Sequence, residues 1–170
     1  LCLMEELGQI DGSRQAKDVT SRACKISGEG KAMIVVREPM IVCGIKLIPL
    51  IAEAFGAGEV ALHENLNEGT EAQPGQSIGT LIGPQAKILL IERTVLNFLQ
   101  KLCGIATGTK RFVSLIEQHG VGLLDTRKTT PGLRSLEKYA TGCGGGYNHR
   151  MGLYDRILAK DNHLAAASVD

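Results

Sequence analysis

Val121-Gly122-Leu123-Leu124-Asp125-Thr126-Arg127-Lys128 is the stretch on which the reading of this chain turns. Nothing polar interrupts it before Asp125, which predicts a short strand buried on both faces of a parallel sheet. Leu133 to Ala140 predicts a helix, and Arg156-Ile157-Leu158-Ala159-Lys160 predicts a second short buried strand. Strand, helix and strand with long connections read as β/α units, so the fold class is α/β. A polar cluster follows each strand directly: Thr126-Arg127-Lys128 after the first, Lys160-Asp161-Asn162-His163 after the second. Ligand sites in β/α barrels gather where strands end. Two cationic clusters distant in sequence are therefore expected to converge.

The window from Asp125 to His163 holds seven Lys or Arg against four Asp or Glu. Its cations stand beside Gly, Pro and Thr, which places them on turns and not along a helix face. Arginine pairs with carboxylate or phosphate through two parallel N–H groups, and lysine acts as a point charge. Arg127, Lys128, Arg150 and Lys160, with Arg93, are too many for one monoanion and suit a dicarboxylate together with a phosphorylated partner. Neither glycine run is a nucleotide fingerprint: Gly142-Cys143-Gly144-Gly145-Gly146 lacks the final glycine, and the Gly-to-Lys spacing of Gly104 to Lys110 is wrong for a phosphate loop. Gly144-Gly145-Gly146 is read as a place of close backbone approach beside His149 and Arg150.

Ahead of this window the chain is organised differently. Residues 5–30 are polar and glycine-rich, and read as loop with a short strand. Lys31 to Arg37 predicts a β-branched strand ended by Pro39. Leu47, Leu50, Ile51, Ala54 and Phe55 follow helical spacing, with Pro49 in the first turn. Glu59 to Glu64 alternates as a half-buried strand with His63 exposed, Pro74-Gly75 is a turn, and Ser77 to Ile82 is a further strand. The result is a small antiparallel sheet with a helix. Pro84 then opens a long helix on Ile88, Ile91, Val95, Phe98, Leu99 and Leu102, which Cys103-Gly104 is expected to end. A second helix, 106–118, is expected to pack Phe112, Leu115 and Ile116. Glu92 and Arg93 are out of place on so apolar a helix: they read either as an exposed ion pair worth little, or with Arg93 projecting into a site or interface.

The net charge of +1 argues against nucleic-acid and membrane partners. Its distribution is uneven: residues 1–71 carry 11 acidic and 7 basic side chains, and residues 72–170 carry 7 and 12. Five cysteines, at 2, 24, 43, 103 and 143, form no C-x-x-C pair. An odd, scattered set fits neither a disulfide framework nor a structural zinc site, so small buried thiols in a reducing cytoplasm are expected. Glu5 and Glu6 interrupt the one stretch that resembles a signal peptide.

Taken together, Glu92-Arg93-Thr94-Val95-Leu96-Asn97, Cys103 to Thr107, Asp125 to Arg134, Glu137-Lys138-Tyr139, Asn148-His149-Arg150 and Lys160-Asp161-Asn162-His163 resemble the quinolinate phosphoribosyltransferases. The resemblance implies an N-terminal α/β sandwich domain with its connecting helix (1–104), then the first part of an open α/β barrel (105–170). It implies phosphoribosyl transfer from phosphoribosyl pyrophosphate to quinolinate with loss of CO2 and pyrophosphate, Mg2+ accompanying the pyrophosphate, and a homodimer. Thr126, Arg127, Lys128, His149, Arg150 and Lys160 would line the site, with Lys128 and Lys160 catalytic and Arg93 reaching the partner subunit's site. Thr141-Gly142 stand where the family often has an apolar residue and an arginine, so one anion contact is expected to differ. A complete barrel needs roughly 200 residues or more, and about 50 follow Val121. The acidic residues that hold ribose and magnesium are therefore expected outside this chain. A related protein of a molybdenum transport operon shares the Thr126-Arg127-Lys128-Thr129 stretch, and an inactive anion-binding or pairing subunit is the reading from a different class. The full Asn148 to Arg150 and Lys160 to His163 set favours quinolinate.

Overall fold

A computed structural model of the chain describes residues 2–7 and 18–167. In chain order the elements are α1 (Cys2–Leu7), α2 (Val19–Ala23), β1 (Glu29–Val35), β2 (Met40–Ile41), a 3-10 turn (Ile45–Leu47), α3 (Ile48–Ala54), β3 (Ala61–Glu64), β4 (Glu71–Ala72), β5 (Ser77–Pro84), α4 (Gln85–Ile116), a 3-10 turn (Glu117–His119), α5 (Arg134–Cys143) and α6 (Asp161–Ala166). Part of the 5–30 stretch is thus helical and not loop. Asp18 caps α2, its Oδ1 accepting from the Thr20 and Ser21 N–H groups at 3.0 Å each. The part of that reading that falls on residues 8–17 lies outside the described residues.

The sheet is antiparallel with order β1-β5-β3, so β5 is central. Leu81 faces Ala32 on one side and Leu62 on the other. β2 and β4 form a separate two-stranded ladder that the sequence reading did not anticipate. Pro49 sits in the first turn of its helix, and His63 is exposed on its strand, as expected. The core joins Ile45, Ile48, Ile78, Ile91, Val95 and Leu99 between the sheet, α3 and the first half of α4. A second cluster, with Ile41, Leu102, Cys103, Ala106 and Ala140, joins the middle of α4 to α5.

Gly104 does not end α4. The helix runs unbroken for 32 residues, about 48 Å at 1.5 Å per residue. Two interior glycines cost such a helix about 1 kcal/mol each. Packing offsets that cost, because Leu102, Cys103 and Ala106 are buried on either side of Gly104. Thr107 Oγ1, one turn further on, accepts the Ile41 N–H at 2.9 Å. The stop comes at Gly120, whose φ of 66° is left-handed. Phe112 and Leu115 do not pack as expected; both are more than 60% exposed.

The two buried strands expected in the C-terminal half do not form as such. Leu124 makes one parallel bridge with Tyr147, through Tyr147 N–H to the Leu123 carbonyl (2.8 Å) and Asp125 N–H to the Tyr147 carbonyl (3.0 Å). Val121 and Leu124 stay more than half exposed. Residues 156–160 have no ladder, and Ile157 is 99% exposed. A strand exists by its partners, and among the described residues these segments have one bridge and none. The mixture of helices and strands nevertheless keeps the chain α/β.

Candidate active site

A carboxylate at the end of the 121–125 segment organises this region. Asp125 Oδ1 accepts from Lys138 Nζ at 2.5 Å and from the His149 N–H at 2.7 Å. The Asn148 amide, turned nitrogen-inward, donates to Asp125 Oδ2 (2.8 Å) and to the Lys138 carbonyl (2.9 Å). Lys138 Nζ also donates to the His149 carbonyl at 2.8 Å. The two charged side chains are 8% and 1% exposed. Ion pairs this deep are tolerated only when further hydrogen bonds satisfy both partners, and here they do. Asp125 thereby ties the turn that begins at Thr126 to the pair His149-Arg150.

The turn itself is held at several points. Thr126 Oγ1 accepts the Lys128 N–H (3.1 Å), Thr129 Oγ1 accepts from Arg134 Nε (3.1 Å), and the Thr130 N–H donates to Glu137 Oε2 (3.1 Å). Glu137 pairs with Lys101 of α4 at 2.9 Å. Burial alone would raise the Glu137 carboxyl, but the bonds from Thr130 and Lys101 outweigh it and hold the group below its ordinary range. Arg134 Nη1 reaches the Met151 carbonyl (3.0 Å), so the turn and the segment after Arg150 are joined again.

A cavity of about 200 Å³ opens beside the turn, lined by Thr126, Lys128, Thr129, Glu137, Lys138 and Thr141 among others. Of the residues singled out from sequence, Thr126 and Lys128 line it. Arg127 is half-buried, and its Nε is buried with no hydrogen-bond partner among the described residues. His149 is half-buried and its Nδ1 accepts the Arg150 N–H at 2.6 Å. Arg150 is buried, with Nη1 donating to the Arg156 carbonyl at 3.2 Å. Lys160 is exposed at the start of α6, where its N–H donates to His163 Nδ1 (3.2 Å). Arg93 is exposed on α4 and, like Lys160, does not line the cavity. Thr141 donates to the Glu137 carbonyl (3.1 Å), and its neighbour Gly142 is exposed.

The close backbone approach expected at the glycine run is made against α4. A Cβ on Gly144 would stand 2.4 Å from the Ala106 carbonyl oxygen, and one on Gly146 would stand 2.7 Å from Thr141 Cγ2. The roles of Asp125 and Lys138 escaped the sequence reading. The one signal was a lysine three residues before Thr141 on the inner face of a short helix, and side-chain spacing does not say that a lysine occupies a core position. A larger cavity, about 500 Å³, lies along β1 and α4 with Arg37, Glu38, Gln100 and Arg111 on its wall. It shares no residue with the cationic turn.

Asp125 and Glu137, the two carboxylates that line the smaller cavity, are each paired with a lysine, so neither leaves its charge free for the magnesium ion that the resemblance implies.

Known proteins resemble the chain along most of its length. The family description "Quinolinate phosphoribosyl transferase, N-terminal domain" matches residues 18–103, and that of the C-terminal domain matches 105–169. The chain is 44% identical over 151 residues to a probable nicotinate-nucleotide pyrophosphorylase (carboxylating) of Bacillus subtilis, covering 88% of this chain and 51% of that protein. It is 39% identical over 168 residues to quinolinate phosphoribosyltransferase (decarboxylating) 1b of Nicotiana tabacum, covering 98% and 45%. The solved nicotinate-nucleotide pyrophosphorylase of Francisella tularensis superposes with a TM-score of 0.84 at 36% identity, covering 98% of this chain and 56% of that one. That of Ehrlichia chaffeensis gives 0.85 at 34%, covering 96% and 57%. The chain spans about half the length of the curated relatives it matches. Matched from residue 18 to residue 169 by the two domain descriptions in their natural order, the chain belongs to the quinolinate phosphoribosyltransferase family.

Proposed function

We propose that the whole protein transfers a phosphoribosyl group from phosphoribosyl pyrophosphate to the ring nitrogen of quinolinate, giving nicotinate mononucleotide, pyrophosphate and CO2. This chain supplies the cationic side of that site. The observation that carries the reading is the Asp125–Lys138 pair, which puts the Thr126-Arg127-Lys128 turn and His149-Arg150 on one rigid support. The relatives' names supply the reaction.

In this reading Arg127, Lys128, His149 and Arg150 hold the two carboxylates and a phosphate, with Thr126 donating alongside. Fixing the dianion against the sugar turns a bimolecular encounter into an oriented one. The bond from the ring nitrogen to C1 forms as the bond from C1 to pyrophosphate breaks. Lys128 and Lys160 are the catalytic cations, offsetting negative charge on the departing group as C1 becomes oxocarbenium-like. The carboxylate next to the ring nitrogen leaves as CO2, and a proton takes its place on the carbon. Residues 1–104 form the N-terminal domain with its connecting helix, and 105–170 begin the barrel. Arg93, exposed and away from the cavity of its own chain, serves the site of a second subunit.

The test supplies the whole protein with phosphoribosyl pyrophosphate and either quinolinate or nicotinate, and follows mononucleotide formation. Quinolinate is expected to be the preferred acceptor by a wide margin. Equal or better use of nicotinate, or no turnover of either, would sink the assignment.

A further inference from the structure

Three potential ligands, none of them lining the cavity beside the cationic turn, converge from distant parts of the chain. Cys43 Sγ, a Glu68 carboxylate oxygen and Cys143 Sγ all lie within 4.8 Å of one another. Cys43 is fully buried in the loop after β2, Glu68 is half-buried in the turn before β4, and Cys143 is half-buried at the end of α5. We infer that Cys43, Glu68 and Cys143 bind one thiophilic divalent cation of the zinc class. The site is independent of the proposed transferase activity.

Distances support this first. A tetrahedral ion with bonds to sulfur of about 2.3 Å and to oxygen of about 2.1 Å sets sulfur–sulfur spacings near ~3.8 Å and sulfur–oxygen spacings near ~3.6 Å. Cys143 Sγ already stands 3.8 Å from Glu68 Oε2. The fourth position of a tetrahedral ion falls to a water molecule.

The surroundings orient the ligands in advance. Both Glu68 oxygens accept the Gly44 N–H at 3.0 Å, and Oε1 also accepts the Lys46 N–H at 3.1 Å. The turn carrying Glu68 is bonded to the loop carrying Cys43 through Val42 N–H to the Thr70 carbonyl (2.9 Å) and Gly69 N–H to the Val42 carbonyl (2.8 Å). Cys103 Sγ brackets the Cys43 backbone, accepting its N–H and donating to its carbonyl, each at 3.2 Å. Fixing the groups behind the ligands in this way is what metal sites require. Gly44 has a φ of 98°, and a Cβ there would meet Leu102 Cδ1 at 2.9 Å, so the loop path is set by packing.

Binding releases both S–H protons to solvent as the metal–sulfur bonds form. The sequence spacing, 25 and then 75 residues between ligands, matches no zinc motif, which is why the cysteines read as inert.

The experiment uses the chain with Cys2→Ser and Cys24→Ser, kept reduced, and titrates it with cadmium while recording the thiolate-to-cadmium charge-transfer band. Saturation at one cadmium per chain is expected, with displacement by zinc. Cys43→Ser or Cys143→Ser should abolish the band, and Cys103→Ser should keep it. No band, or a band that survives in the Cys43→Ser/Cys143→Ser double variant, overturns the inference. A second readout guards against variants that misfold. In the unsubstituted chain, zinc should slow maleimide labelling of Cys143 by about tenfold or more and leave exposed Cys24 unaffected. Unchanged Cys143 labelling, or a Cys43–Cys143 disulfide persisting in reducing buffer, would equally refute it.

Discussion

Lys138 and Asp125 face each other at 2.5 Å in the interior, and the same ammonium donates to the His149 carbonyl while the same carboxylate accepts the His149 N–H. His149 is thus gripped at both its backbone polar groups by one ion pair. Lys138→Met would leave Asp125 buried and uncompensated, a loss of about 3–5 kcal/mol. Asp125→Asn keeps an acceptor for the His149 N–H and should cost less. Urea unfolding of both variants tests this. If Lys138→Met unfolds within about 1 kcal/mol of the parent, the pair is not a structural centre.

Two glycines, one inside α4 and one just past the end of α5, should respond with opposite signs. Gly104 lies within α4, and a Cβ added there would meet no atom within 4 Å, so Gly104→Ala should stabilise by about 1 kcal/mol. Gly144→Ala would drive its Cβ to 2.4 Å from the Ala106 carbonyl oxygen, and overpacking of that kind costs about 1–3 kcal/mol. Thermal melts of the two variants decide it. A destabilised Gly104→Ala would argue that the helix is interrupted there after all.

Glu137 gives a pH dependence of defined sign. Its folded pKa lies below the ordinary value of 4.5, so the unfolded chain binds its proton first as pH falls. The stability it contributes is fully present above that ordinary value and disappears as pH drops through the lower, folded one. The advantage of the parent over Glu137→Gln should therefore be largest near neutrality and fade in acid. An advantage undiminished at about pH 3 contradicts the assignment.

The proposed exchange of Arg93 between subunits can be tested by complementation in the whole protein. Arg93→Ala and Lys160→Ala proteins should each be nearly inactive. Mixed dimers should regain activity, because one of their two sites has both residues intact. Absence of recovery in mixtures shown to contain mixed dimers would count against a site shared between subunits.

Local signals were legible in the sequence. Pro74-Gly75 turns, with Gly75 at a φ of 85°, and Pro49 and exposed His63 stand where composition put them. Features that depend on what packs nearby were not. Gly104 looks like a stop until Ala106 and Leu102 are seen buried around it. Val121 to Leu124 look like a buried strand because they are apolar, but pairing requires neighbours that residue type does not reveal. The cations after Asp125 could be picked out from their turns, whereas the lysine that positions them could not, since Lys138 is buried by its partners and not by its character.

The unbroken course of α4 has a consequence for modularity. The two family descriptions divide between residues 103 and 105, yet that division falls inside a helix whose residues on both sides are packed. One residue inserted at the junction would turn everything after it by about 100° about the helix axis. Ala106 would swing off α5 and Thr107 off the Ile41 amide. Chimaeras that exchange these halves between relatives must therefore preserve angular phase at residue 104, and a flexible linker placed there would sever a drive shaft.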